Sequence, residues 1–240
     1  MPAATSVTPP LTEASLLIAV RELAAADPAL ATVVERFGPP PLWAREAGFP
    51  TLVHLILEQQ VSLASAQAAF DRLRAAADPL TPGTLLEFDD AQLLAIGFSR
   101  QKARYARALA TAVDDGTLDI DGLAAKDDDE IDAALTALPG IGPWTATIYR
   151  LMVLLRPDAW PVHDIALAQA AAELRGLETR PDAAAMLALA EAWRPRRAVA
   201  ARILWHHYLS TPRRRPGSAK DGEPVDDDRA RAEGPDLDPV

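Results

Sequence analysis

No cysteine occurs in the 240-residue chain. Disulfides, thiolate zinc sites, cysteine nucleophiles and iron–sulfur clusters are therefore excluded. Lysine is nearly as rare, limited to Lys102, Lys126 and Lys220, a bias toward arginine that reads as genome composition and carries no functional weight. Apolar runs are short: stretches such as Leu151–Leu155 fall far below the roughly 20 residues that span a bilayer. Residues 1–10 lack the basic cluster and apolar run of a secretory leader. Also missing are segments of alternating apolar and polar residues rich in β-branched types, and Asn-Gly or Asp-Gly turns joining two such segments. The expectation that remains is an all-α, soluble, cytoplasmic protein with no membrane contact. Its chemistry has to rest on carboxylates, histidine, hydroxyls or amines.

The charge balance adds a second constraint. A formal net charge of −10 runs against the basic surface that usually marks a phosphate-binding protein. It is unevenly spread, at −10 over residues 1–137, +2 over 138–210 and −2 over 211–240. Nine acids crowd between Asp114 and Asp132, a clustering that reads as a solvated face.

What is present is helical punctuation. Residues 1–10 and 210–240 are rich in Pro, Gly and charge and are expected to be disordered tails. Asp27-Pro28 predicts the cap and first position of a helix that Gly38 can end. Ser99 predicts the cap of a helix over residues 100–113, with Tyr105, Leu109 and Ala112 on one face and Lys102, Arg104 and Arg107 largely off it. Further helices are expected over residues 51–59, 63–77, 89–95, 129–137, 143–155, 165–175, 181–193 and 195–209.

Between two of these helices lies Leu138-Pro-Gly-Ile-Gly142. Pro139 bars helix continuation, and Gly140 and Gly142 are both free to adopt positive φ. Such a turn leaves backbone amides unpaired. With the positive end of the helix that starts near Pro143, they make a donor cluster suited to a phosphate, gripping a nucleic-acid backbone without reading its sequence. The same residues also serve as an ordinary tight link between packed helices. Asp164, just beyond Pro161 at the head of an apolar helix, is on local sequence a helix N-cap. Trp144 and Trp205 fit a core as readily as a pocket wall, and Gln59 and Gln60 fit a polar helix end. His206-His207 is no metal site, because adjacent helical side chains point about 100° apart and no carboxylate–histidine spacing accompanies them. His206 is expected to border whatever site Trp205 lines, and His207 to lie on the surface.

The longer string Leu138-Pro-Gly-Ile-Gly-Pro-Trp-Thr-Ala146 closely resembles the signature hairpin of the helix-hairpin-helix (HhH-GPD) DNA glycosylase superfamily. It looks most like the 3-methyladenine DNA glycosylase II branch, which usually carries Arg where Pro143 stands. Ile56-Leu-Glu-Gln-Gln-Val-Ser62 is similar to the segment that enters the duplex at the lesion, although the family residue at Glu58 is usually small. Trp160-Pro-Val-His-Asp164 resembles the catalytic segment, where two adjacent Asp are common and His163 replaces the first. Glu191-Ala-Trp-Arg-Pro-Arg-Arg197 and Ile203-Leu-Trp205 continue the match, which covers roughly residues 43–209.

The resemblance implies a set of roles. Asp164 is the catalytic carboxylate, stabilising positive charge on the deoxyribose as a base departs and orienting or deprotonating the attacking water. Trp144, Trp205, Ile148 and His206 form the base pocket. Gln60 is the wedge that fills the gap left in the duplex, with Gln59 beside it. Leu138, Gly140, Ile141, Gly142 and Thr145 hold the DNA phosphate. Bifunctional relatives place a lysine nucleophile where Trp144 stands, so a monofunctional enzyme acting on alkylated purines is implied. Excision of deaminated or oxidised bases on the same scaffold is an alternative. A catalytically weak lesion-binding homologue is another, suggested by Pro143, Glu58, His163 and the acid excess. A helical module with no DNA role is a third. The partner is damaged double-stranded DNA, and the protein is expected to be a monomer. No cofactor, iron–sulfur cluster or side-chain metal site is implied, beyond a monovalent cation that the hairpin could hold. Two helical subdomains with a cleft between them are expected, residues 11–43 joined with 162–209 carrying the catalytic Asp, and residues 44–161 containing the hairpin. Only about forty residues precede Trp43, so the additional β-containing N-terminal domain of some relatives is not expected.

Overall fold

The computed structural model describes residues 9–212. Among these residues the chain forms twelve α-helices, one 3₁₀ turn and no strand, so the class is all-α. Most of the two tails expected at residues 1–10 and 210–240 lies outside the described range, and Ser210 is the last residue of a helix.

The helices begin where the capping residues said they would. Asp27 caps α2 (Pro28–Phe37) through a bond from the Ala29 amide at 3.0 Å, and Gly38, at φ 79°, ends it. Ser99 caps α7 (Arg100–Asp114), and Asp127 and Glu130 form a reciprocal capping box on α8 (Asp128–Thr136). Between α2 and α7 stand α3 (Phe49–Glu58), α4 (Leu63–Ala76), α5 (Pro82–Leu86) and α6 (Asp90–Ile96). After α8 come α9 (Pro143–Met152), α10 (Ile165–Arg175), α11 (Ala183–Glu191) and α12 (Arg197–Ser210).

Two helices were not foreseen. One is α1 (Glu13–Ala26), whose start is fixed by a capping box between Thr12 and Ser15. Its apolar residues run round the helix: Leu16, Ala19, Val20 and Leu23 are buried while Leu17 and Ile18 are exposed, so no single stripe stands out in the sequence. The other is α5, five residues long and too short to show a period.

The helices pack in two sets. Helices α1, α2, α10, α11 and α12 contact one another, and α3 through α9 do the same. One continuous apolar core runs through both. The most buried ionic group in it is Arg202 on α12, fully enclosed and donating to the carbonyls of Leu42 at 2.8 Å, Leu151 at 2.8 Å and Ala198 at 3.0 Å. Burial pushes its pKa down to about 10. These bonds fix α12 against the end of α9, and Arg197 adds a fork onto Asp158 at 2.9 Å.

Part of the acidic segment is not a plain solvated face. Arg150 holds Asp132 through two bonds at 2.8 and 2.9 Å and Asp128 at 2.7 Å. Those acids thus offset a half-buried arginine on α9.

Asp27 does more than cap. Its Oδ2 accepts from Trp193 Nε1 at 3.0 Å and from Arg175 Nη2 at 2.6 Å, joining the α1–α2 junction to α10 and to the loop after α11. Trp193 is 2% exposed. Trp193→Phe keeps most of the apolar area and removes that donor, so it is expected to lower the unfolding free energy by about 1–2 kcal/mol in a urea titration. No measurable change would mean the bond contributes nothing.

Candidate active site

Asp164 stands at the start of α10, after a segment whose backbone is forced round by His163 at φ 69°. Left-handed backbone is uncommon outside glycine, and His, with Asn and Asp, is among the residues that adopt it more readily. Trp43 at φ 49° and Gln60 at φ 56° share the feature. The Asp164 side chain does cap α10, with Oδ1 accepting from the Leu167 amide at 3.0 Å. Two further donors converge on it. Trp144 Nε1 reaches Oδ2 and Trp205 Nε1 reaches Oδ1, each at 3.3 Å. The capping role and the site role therefore coexist: three N–H groups from three helices fix the carboxylate, and an ionised carboxylate has lone pairs left over for a ligand.

Trp144 sits in the first turn of α9 and Trp205 in the middle of α12, with Ile148 one turn further along α9. Together with Trp43, Tyr208 and Asp164 they line a mostly apolar cavity of about 440 Å³. This size suits an organic ligand of one or two rings, and aromatic walls suit a flat or cationic one. On the α3 side the wall is ionic. Glu58 receives both terminal nitrogens of Arg45, at 2.9 and 3.0 Å, where the sequence resemblance leads one to expect a small residue.

The hairpin between α8 and α9 is built around Gly140, at φ 87°. A Cβ there would fall inside the Tyr105 ring of α7. Gly142 corrects the sequence reading: its φ is −93°, with open space where a Cβ would go. It is the N-cap of α9 in ordinary extended backbone, so its value lies in bareness and not in left-handed freedom. The Leu138 and Ile141 amides are also used inside the turn, donating to the carbonyls of Leu135 at 3.2 Å and Leu138 at 3.1 Å, while the Ile141 side chain is buried. The helix-start amides of α9 are those of its N-cap Gly142, Trp144 and Thr145, which precede the first amide bonded at that end, Ala146 to the Gly142 carbonyl at 3.0 Å. Thr145 is 3% exposed.

Gln59 and Gln60 part company. Gln59 Nε2 donates to the Gly140 carbonyl at 2.8 Å and to Thr145 Oγ1 at 3.2 Å, so it ties the end of α3 to the hairpin and is not free to act as a wedge. Gln60 is exposed at the tip of the α3–α4 turn, next to exposed Val61 and Leu63.

His206 is not among the residues lining the Asp164 cavity but borders it: its ring packs edge-on against the cavity-lining Trp43, centroids 6.3 Å apart, and against Phe37, centroids 6.1 Å apart, with Nε2 3.2 Å from the Phe37 carbonyl. His207 is buried and not on the surface, 2.9 Å from Glu173. The site residues that sequence reasoning missed are Arg45, Trp43 and Tyr208. Each sits in a loop or a last helical turn with no motif around it, and each is brought in only by packing. Among the described residues no three His, Asp or Glu side chains converge on a point that could hold a metal ion, and no helix is long and apolar enough to cross a membrane.

The family model for HhH-GPD superfamily base excision DNA repair proteins matches residues 53–195. Bacillus subtilis YfjP, which carries the name of a DNA-3-methyladenine glycosylase, is 28% identical over 184 residues, 73% of this chain and 64% of that protein. The chain thus spans just under two thirds of that relative. A solved structure of the Schizosaccharomyces pombe 3-methyladenine DNA glycosylase Mag1 in complex with abasic DNA superposes with a TM-score of 0.74 at 25% identity, covering 78% of this chain and 95% of the other. The Bacillus halodurans DNA-3-methyladenine glycosidase gives 0.68 at 29% identity, covering 80% and 89%.

Proposed function

We propose, on the premise that the chain belongs to the HhH-GPD superfamily of base excision DNA repair proteins, that it is a monofunctional DNA glycosylase. It hydrolyses the N-glycosidic bond of alkylated purines, of the 3-methyladenine and 7-methylguanine type, flipped out of duplex DNA, and leaves an abasic site. The observation that carries this reading is the Asp164 carboxylate held between two indole N–H groups at the wall of an aromatic cavity. Relatives that bear the 3-methyladenine glycosylase name support the branch.

The chemistry follows from charge. Alkylation makes the purine cationic, so its face-on contact with Trp144 and Trp205 is favourable and its departure needs little protonation. As the base leaves with the bonding pair, positive charge develops on the sugar, and a fixed carboxylate close by stabilises it without reorganising. Water then adds to the anomeric carbon, and Asp164 orients it and accepts its proton. Extrusion costs a few kcal/mol, least for a damaged pair. Gln60, exposed at its turn, takes the place of the lost base. The helix-start amides at Gly142, Trp144 and Thr145 hold a phosphate with no basic side chain, which is how an acidic protein still binds DNA.

Release of the base without strand cutting is supported by the amines. Lys102 donates to the Leu57 carbonyl at 2.7 Å, and no lysine lines the cavity. The test is incubation with duplexes carrying single defined lesions, followed by gels with and without alkali. Breaks only after alkali are expected on methylated purines. Breaks without alkali overturn the monofunctional reading, and no release from any lesion overturns the glycosylase reading.

A further inference from the structure

Arg45, Glu58 and Leu63 each line two cavities, the apolar one of about 440 Å³ that holds Asp164 and a cleft of about 800 Å³ along α3 and α4. The walls of the second chamber are mixed, with His54, Arg74 and Asp78 beside Phe70 and Leu80. Glu58, the last residue of α3, keeps only 7% of its side chain exposed. Both its oxygens are forked by Arg45 at 2.9 and 3.0 Å. Arg45 is held in turn, its backbone amide donating to the Met152 carbonyl at 2.8 Å, at the end of the helix that carries Trp144. Behind Glu58, His54 lies 3.6 Å from Oε1 and stacks flat on Phe70, ring centroids 4.3 Å apart. The wall between the chambers is therefore a two-bond ion pair braced on both sides, much stiffer than a lone flexible side chain.

We propose that the Arg45–Glu58 pair is a specificity-determining partition. It walls the base pocket on the α3 side and keeps it from running into the neighbouring cleft, so that a purine enlarged by an extra fused ring on that edge is shut out. The inference rests on reading the Asp164 cavity as the base pocket. The pair is net neutral, so the exclusion is steric, and a rigid wall discriminates against a larger ligand by blocking it outright. Removing the carboxylate joins the pocket to the neighbouring cleft and gives the additional ring somewhere to go.

The experiment uses the full chain and two readouts. Tryptophan fluorescence is titrated with free 3-methyladenine and free ethenoadenine, and single-turnover base release is measured from duplexes carrying each lesion. Glu58→Ala opens the wall. Arg45→Ala with Glu58→Ala opens it without stranding a buried charge, which is the variant to rely on if the single change unfolds the protein. Glu58→Gln keeps the volume and loses the charge. Both opened variants are expected to shift the ethenoadenine to 3-methyladenine ratio by about tenfold toward the larger base, and Glu58→Gln to leave it within about twofold. An unchanged ratio in the folded open variants overturns the partition, and so does an equal shift in Glu58→Gln. A parent protein that neither binds free bases nor releases them fails the pocket reading itself. One that does either, with ratios unmoved by opening, fails the partition alone.

Discussion

Asp164→Asn is expected to leave a folded protein that releases methylated purines about a thousandfold more slowly than the parent. The substitution suits the site because it separates two jobs done by one side chain. Asn caps a helix about as well as Asp, so with its oxygen kept toward the Leu167 amide and Trp205 Nε1, α10 should start where it does now. Its amide nitrogen then replaces Oδ2 opposite Trp144 Nε1, donor against donor, which costs about 1–2 kcal/mol locally. What disappears entirely is the negative charge. If that charge stabilises the transition state, base release collapses while the melting temperature moves by only a few degrees. Single-turnover release from a methylated duplex, alongside a thermal melt, is the measurement. Release within about tenfold of the parent would remove Asp164 from the chemistry and leave it as a cap.

The two roles of Asp164 also mark what was legible in the sequence. Its position after Pro161 at the head of an apolar helix is enough to call a cap, and the cap is there at 3.0 Å. Nothing local says that indole groups from residues 20 and 41 positions away in the sequence will meet on the same carboxylate. The family resemblance named both tryptophans, Trp144 in the hairpin and Trp205 in the C-terminal segment, and packing, through the buried Arg202 bonds between α12 and the end of α9, brings them together. Where a residue had no motif around it, as with Arg45 and Trp43, its contribution was invisible. Counting along a motif placed His206 in the pocket, whereas the helix sets it one layer back, against Phe37 and the cavity-lining Trp43. Helix α1 shows the same limit at the level of the fold, since apolar residues on all sides hide the buried stripe until a partner covers it.

The two hairpin glycines are expected to fail in different ways when each gains a methyl group. Gly140→Ala meets two obstacles. The backbone sits at φ 87°, where an L-residue costs about 1–2 kcal/mol, and the new Cβ would fall within the Tyr105 ring, which overpacking data put at about 1–3 kcal/mol. A loss of roughly 2–5 kcal/mol is a large share of the stability of a domain this size. The Gly140 carbonyl that anchors Gln59 is displaced with it. Pairing Gly140→Ala with Tyr105→Ala removes the ring but keeps the Tyr105 Cβ, 2.7 Å from the new carbon, so the double variant should recover only part of the steric contribution and none of the backbone one, minus what the lost ring costs by itself; a cycle that includes Tyr105→Ala alone sorts the terms. Gly142→Ala meets neither obstacle, since its φ of −93° is open to any residue and nothing stands within 4 Å of the added carbon. Its stability should stay within about 1 kcal/mol of the parent. Because the exposed face of Gly142 is where a phosphate would approach the α9 amides, its loss should appear in duplex affinity instead, as a weakening by about tenfold with the melt unchanged. Urea titrations and duplex binding on both variants decide the matter. Equal destabilisation by the two alanines would contradict the turn geometry, while unchanged duplex affinity in Gly142→Ala would take the phosphate away from the hairpin and leave that turn as a link between helices.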